Sequence, residues 1–198
     1  MYRDGIVSVG NNYDSRYLFN AVLTYAGASQ MPAGDKYRVY PAFAVAWIAS
    51  NESFLHDNRI VDLLKLRASF GVTGMSARLS YDMDKQFNGG GNSYIFVGST
   101  SQYGTAQGAL PSTGIEPERE YRSNIGIELS LFKALTLDAD FFYNKRRNIR
   151  ISSEGTLSGV LGIGTPDVFT GEVRNYGWEV ALGWRKQIGD FSYGLHGQ

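Results

Sequence analysis

Apolar and polar residues alternate with period two through roughly seven stretches of the chain, the signature of strands whose two faces differ chemically. In "RYLFNAVLTYAG" the large apolar residues Tyr17, Phe19, Leu23 and Tyr25 fall on odd positions, although Leu18 and Val22 blur the contrast. In "KYRVYPAFAVAWI", Tyr37, Val39, Phe43, Val45 and Trp47 oppose Arg38, Tyr40, Ala42, Ala44 and Ala46. In "LLKLRASFGVTG", Leu64, Leu66, Ala68, Phe70 and Val72 oppose Lys65, Arg67, Ser69 and Gly71.

The alternation is cleanest later in the chain. Ile125, Ile127, Leu129 and Leu131 oppose Asn124, Gly126, Glu128 and Ser130, and after a short "FKA" turn Leu135, Leu137, Ala139, Phe141 and Tyr143 oppose Thr136, Asp138, Asp140 and Asn144. Tyr176, Trp178, Val180, Leu182 and Trp184 then oppose Gly177, Glu179, Ala181, Gly183 and Arg185, and Phe191, Tyr193 and Leu195 continue beyond a "GD" turn.

Such strands suit either a soluble sheet with one wet face or a barrel with lipid outside and water inside. Two features favour the barrel. Several apolar faces carry Tyr or Trp at their ends and aliphatics between, as aromatic girdles bracket a lipid-facing band. The opposite face mixes small residues with charge, which makes a poor dry core and a reasonable wet lumen. The expected fold is therefore all-β, a partial antiparallel transmembrane β-barrel of roughly nine strands belonging to a larger barrel.

Its lumen-facing polar residues would be Asn124, Glu128, Ser130, Asp138, Asp140 and Glu179. The lipid-facing set would be Ile125, Ile127, Leu129, Leu137, Phe141, Val180 and Leu182. The girdle would comprise Tyr17, Tyr37, Trp47, Tyr143, Tyr176 and Trp184. The connections add to this picture. The turns "FKA" and "GD" are short, whereas 27–35, 104–119 and 147–171 are long and rich in Gly, Ser, Thr and Pro, as when strands run alternately up and down with long loops on one side. "ASNESFLHDNRIVD" is long although it belongs on the short side, and it predicts a brief helix containing Phe54 and Leu55, capped by Asn51 or Ser53.

Composition agrees. The chain has 198 residues, with 24 Gly, 13 Tyr and 11 Phe, a balance that favours pleated surfaces and turns. Nineteen basic residues match nineteen acidic ones, so no net field draws the chain to nucleic acid. The absence of Cys removes disulfides, thiolate metal sites and cysteine nucleophiles. The opening "MYRDGIVSVGNN" has no basic region followed by an apolar core, so no secretory leader is expected within it, and no apolar run approaches the roughly 20 residues of a membrane helix.

The candidate chemical motifs have bland readings. "NGGGNS" (88–93) lacks the Lys-Ser or Lys-Thr of a phosphate loop and reads as a flexible turn, and "GVLGIGTP" (159–166) reads as a mobile loop. His56 and His196 have no partners at ligand spacing, so neither a metal site nor a histidine-based triad is expected. Asp138 and Asp140 share a face about 7 Å apart along a strand, conceivable for glycoside chemistry but more simply lining a water path. Lys145, Arg146, Arg147 and Arg150 would meet anionic lipopolysaccharide or solvent. Tyr94, Phe96, Tyr103 and Phe169 are possible sugar-stacking aromatics or plain structural ones.

Several stretches resemble the carboxyl-terminal half of the SusC/RagA family of TonB-dependent outer-membrane transporters from Bacteroidetes-type bacteria. They are "RYLFNAVLTYAGAS", "YPAFAVAWIASNESFL", "LLKLRASFGVTG", "EREYRSNIGIELSLF" with "LTLDADFFYNKRRNI", and "VRNYGWEVALGWR", in the family's order from Arg16 to Arg185. The resemblance implies that 1–198 is a fragment of the receptor's barrel domain, without the plug or the amino-terminal extension. It implies a part in TonB-energised import of glycans or peptides at the cell outer membrane, with no enzymatic activity and no cofactor. The partners it implies are a SusD-like surface lipoprotein, TonB-ExbB-ExbD, outer-membrane lipid and the glycan or peptide cargo, and not nucleic acid. The alternative reading of the residues is a soluble or surface β-sandwich that binds carbohydrate.

Overall fold

Ten strands follow one another in the computed structural model, which describes residues 2–29, 31, 36–55, 58–75, 84–95, 101–112, 115–152 and 163–198. They are β1 (Tyr2–Tyr13), β2 (Tyr17–Ala28), β3 (Tyr37–Ile48), β4 (Val61–Met75), β5 (Phe87–Ile95), β6 (Ser101–Gln107), β7 (Glu118–Leu131), β8 (Leu135–Ile151), β9 (Val168–Ile188) and β10 (Phe191–Gly197). Eight form one antiparallel sheet in the order β1-β2-β3-β4-β7-β8-β9-β10, and β5 and β6 pair separately.

The all-β antiparallel architecture matches the sequence pattern, but the expected barrel does not form. The large sheet is open, with β1 paired only to β2 and β10 only to β9. Closure requires the first and last strands to exchange backbone hydrogen bonds at a fixed stagger, and here each leaves one row of N–H and C=O groups at an edge. The chain accordingly exposes 13903 Å², against about 9300 Å² for a compact monomer of its mass.

Neighbouring strands share one register parity across the sheet. Phe19 faces Val45, Val45 faces Ala68, Ala68 faces Ile125, Ile125 faces Phe141, and Phe141 faces Trp178. Because side chains alternate across a strand, this register gathers every large apolar set named above onto one face. That face stays open among the described residues: Ile125 is 65% exposed, Phe141 50% and Trp178 74%. The buried apolar residues are few, and Ala28, Met31 and Ile115 cluster with Phe169 packed against them.

Short connections lie at one end of the sheet. Asp14 and Ser15 (φ 52° and 51°) turn β1 into β2, Phe132 and Lys133 (φ 57° and 53°) turn β7 into β8, and Gly189 (φ 60°) begins the turn into β10. Two successive left-handed residues give a turn whose twist matches a hairpin, but a bulky Phe there is strained. The end of the β3–β4 connection and the start of β4 brace that turn: Phe132 N–H donates to the Ile60 carbonyl (2.9 Å) and Lys133 N–H to Asp62 Oδ2 (2.5 Å). The longer connections, β2–β3, β4–β7 and β8–β9, lie at the other end.

Two local expectations change, and one strand arises where no pattern was read. The helix after β3 is a single 3-10 turn at Ala49–Asn51, ahead of Phe54 and Leu55, and Asn51 Nδ2 donates to the Ser15 carbonyl (2.7 Å) instead of capping. "NGGGNS" lies in β5, where Gly89 and Asn92 flank an irregularity in the pairing with β6, so backbone pairing overrides the low strand propensity of glycine. The first strand, β1, has no clear two-residue alternation, because Gly5, Gly10, Asn11 and Asn12 dilute it, and pairing along the whole of β2 holds it extended.

Candidate functional site

The polar face of β4, β7 and β8 carries a five-residue ion network. Lys65 Nζ and Arg67 NH1 each lie 3.0 Å from Glu128 Oε1, while Arg67 NH2 contacts Asp138 Oδ1 at 2.8 Å and Asp140 Oδ2 at 2.5 Å. Register makes the arrangement possible: Lys65 faces Glu128 across β4–β7, and Glu128 faces Asp138 across β7–β8. Arg67 faces Gly126, the only residue type that leaves room there. A Cβ at that position would overlap Arg67 Nε and Asp140 Oδ1, so the guanidinium crosses β7 above a bare α-carbon to reach β8. Arg67 Nε is buried in this contact and has no hydrogen-bond partner.

All six residues expected on the polar side share this face. Asn124 and Ser130 flank Glu128 on β7, and Glu179 on β9 is the register partner of Asp140. The expected apolar set Ile125, Ile127, Leu129, Leu137, Phe141, Val180 and Leu182 occupies the other face. Asp138 and Asp140 are tied to one guanidinium, which sets them as ion-pair partners and not as an acid–base pair. Lys65 and Arg67 are the members that attention to carboxylates alone overlooks, although both stand on the polar parity of their strand.

Beside the network the same face forms a groove of about 420 Å³. Its floor is small, with Ala42, Ala44, Ser69 and Gly71, and its rim presents Asn20, Asn124, Asn144, Arg122 and Phe142. The Phe142 ring lies over Gly177 of β9, where an added Cβ would stand 2.9 Å from the ring's Cζ, so glycine makes room for the aromatic there. Three amides, a guanidinium and a ring around a small-residue floor offer both donors and acceptors for a hydroxyl- or amide-rich solute.

The aromatic residues fall into two bands on the apolar face. Tyr25 and Tyr37 stack at 5.2 Å and Tyr143 and Tyr176 at 6.4 Å towards the long connections, while Tyr17, Trp47 and Trp184 lie near the short turns. From Tyr17 to Tyr25 is about 27 Å of extended strand. At the short-turn end Glu52 Oε1 accepts from Tyr17 Oη (2.6 Å) and Trp47 Nε1 (3.1 Å), and Arg16 NH1 reaches Glu52 Oε2 at 3.4 Å. These donors hold the Glu52 carboxyl below its ordinary pKa of 4.5, the Tyr17 hydroxyl most strongly.

The basic run lies in β8 and is partnered. Lys145 and Arg147 pair with Glu172, Arg146 with Glu118 and Glu120, and Arg150 with Asp167. Phe169 is packed in the small core and is not a free stacking platform. His56, Phe96 and 159–162 lie outside the described residues, as do the side chains of Tyr94 and Tyr103.

No family model matches the chain. Among curated proteins, TonB-dependent receptor P3 of Formosa agariphila is 26% identical over 178 residues, 89% of this chain and 17% of the relative. TonB-dependent receptor P39 of the same organism is 28% identical over 179 residues, 88% of this chain and 16% of the relative. TonB-dependent receptor SusC of Bacteroides thetaiotaomicron is 33% identical over 60 residues, 30% of this chain and 6% of the relative. The chain thus spans about one-sixth of the length of the Formosa receptors. Among solved structures, the RagAB peptide importer matches 98% of this chain and 22% of its own, with a TM-score of 0.78 at 15% identity in the open-open state and 0.76 at 14% in the closed-closed state. That likeness is one of fold. The relatives matched by sequence are receptors and not enzymes, and that relationship locates the chain in the outer membrane of a Bacteroidetes-type Gram-negative cell. The chain is homologous to TonB-dependent receptors, SusC among them, and shares its fold with part of the RagAB importer.

Proposed function

We propose that the chain is part of an outer-membrane, TonB-energised importer of glycans or peptides, and that residues 1–198 supply a portion of its membrane-spanning sheet. In this reading the polar face, with Asn124, Glu128, Ser130, Asp138, Asp140 and Glu179, borders the aqueous solute path. Ile125, Ile127, Leu129, Leu137, Phe141, Val180 and Leu182 meet hydrocarbon, and Tyr17, Tyr37, Trp47, Tyr143, Tyr176 and Trp184 mark its two boundaries. The observation that carries the reading is the separation of a charged, ion-paired face from an uncovered apolar face rimmed by aromatics. In water such a face leaves its burial free energy unrealised, and in a bilayer it is satisfied.

Import needs an energy source, which TonB-ExbB-ExbD supplies in this reading, and a SusD-like lipoprotein covers the solute entrance. Binding precedes energised entry, so the two steps are separable. Deleting TonB in cells carrying the full-length protein should abolish uptake while surface binding of solute persists. Uptake that continues without TonB removes the importer reading.

One observation favours a second reading, a surface sheet that binds carbohydrate without transporting it. The sheet is open, and the groove lined by Asn20, Asn124, Asn144 and Phe142 lies on one face of it. Under that reading solute binding is retained and no TonB-dependent accumulation is seen.

A further inference from the structure

Above the Tyr143–Tyr176 stack, on the apolar face, three cations surround one carboxylate. Lys145 Nζ lies 2.9 Å from Glu172 Oε1, Arg174 NH2 2.7 Å from the same atom, and Arg147 Nε 3.2 Å from Glu172 Oε2. Arg146 points to the other face, where Glu118 and Glu120 take its charge. The run of basic residues is therefore sorted by strand parity, with an excess of positive charge left on the apolar side. Lys145 is held close, its side chain 18% exposed, but Arg147 and Arg174 remain 51% and 58% exposed, so their guanidinium groups keep donors free for another acceptor.

Position gives this excess a meaning. Lys145 lies two residues after Tyr143 and Arg174 two residues before Tyr176, which puts both about 7 Å beyond the aromatic stack on the same face. Ascending from Val180 the face runs aliphatic, then Trp178, then the tyrosine pair, then the guanidinium groups, an order that mirrors acyl chain, interface and charged headgroup. At the opposite end of the same face Tyr17 and Trp47 are bound to an acidic residue, Glu52, so the basic excess belongs to the long-connection end of this face. A guanidinium presents a planar fork that fits phosphate oxygens, and a leaflet-anchored phosphate would meet it at this height.

We propose that Arg147 and Arg174, set above Tyr143 and Tyr176, form a binding site for the phosphorylated headgroup of an outer-leaflet glycolipid of the lipid A class. The site rests on the membrane reading of the apolar face. Glu172 holds the two arginines in place, and the acyl chains lie along Trp178, Val180 and Leu182.

The test uses the full-length receptor in phosphatidylcholine vesicles containing no glycolipid, phosphorylated lipid A, or the same lipid A after enzymatic removal of phosphate. Glycolipid retained per protein on extraction is counted by mass spectrometry. Phosphorylated lipid A should be retained about tenfold or more over the dephosphorylated form. The Arg147→Gln/Arg174→Gln variant should fall to the dephosphorylated level, and Arg147→Lys/Arg174→Lys should fall between. Equal retention of the two lipids, a double Gln variant that binds like the parent, or full displacement by millimolar inorganic phosphate overturns the proposal. A receptor that floats with plain phosphatidylcholine vesicles and shows no phosphate preference overturns this site alone. One that does not float overturns the membrane reading itself.

Discussion

The guanidinium of Arg67 lies across the bare α-carbon of Gly126, one strand away, and from there holds Asp138 and Asp140 on the strand beyond. Three strands are stitched together through one side chain, and the stitch depends on a missing methyl group. Gly126→Ala should push Arg67 out of this path and destabilise the full-length protein in detergent by about 1–3 kcal/mol, the usual cost of overpacking. In an Arg67→Ala background the same substitution should cost much less, since the clash is gone. Unfolding midpoints of the four proteins measure the coupling, and strictly additive effects would show that the two residues do not interact.

Leu129 and Ser130 are chain neighbours on opposite faces. With no cysteine in the sequence given, a thiol introduced into it is distinguishable wherever the full-length protein also has none. In the membrane-inserted full-length protein, Leu129→Cys should be reached by a quencher attached to lipid tails and spared by a charged aqueous thiol reagent. Ser130→Cys should show the reverse. A Leu129→Cys thiol hidden from both reagents would mean that protein covers this face.

Glu52 ties the 3-10 turn to β2 and β3 through Tyr17 and Trp47. Its folded-state pKa lies below the ordinary 4.5, so the carboxylate's contribution is fully present above pH 4.5 and is lost as pH falls through the lower folded value. Wild type should therefore exceed Glu52→Gln in stability at neutral pH, and the two should converge in acid. Thermal unfolding of the full-length proteins from pH 7 down to about pH 3 measures the gap. A gap that does not change with pH would assign the tie to shape and neutral hydrogen bonds.

Much of this was legible in the sequence because strand faces are a local property. Consecutive side chains in extended backbone point to opposite sides whatever surrounds them, so Ile127 and Glu128 declare two faces without knowledge of their neighbours. The "FKA" and "GD" turns were legible for the same reason, being closed by adjacent residues. Glycine-rich strands were harder to read: β1 and β5 are held by pairing with β2 and β6, and pairing is not written in their own residues.

Only the tertiary structure decided which residues meet. Arg67 is separated from Asp140 by 73 positions in sequence, and nothing local announces that Gly126 opens the way between them. The basic run in β8 looked like one patch, yet strand parity divides it, sending Arg146 to Glu118 and Glu120 and leaving Arg147 with Glu172. Closure was decided at the same level. Alternation specifies that a sheet has a wet and an apolar face, but whether its first and last strands meet depends on strand number, stagger and twist summed over the sheet, and here β1 and β10 remain separate edges.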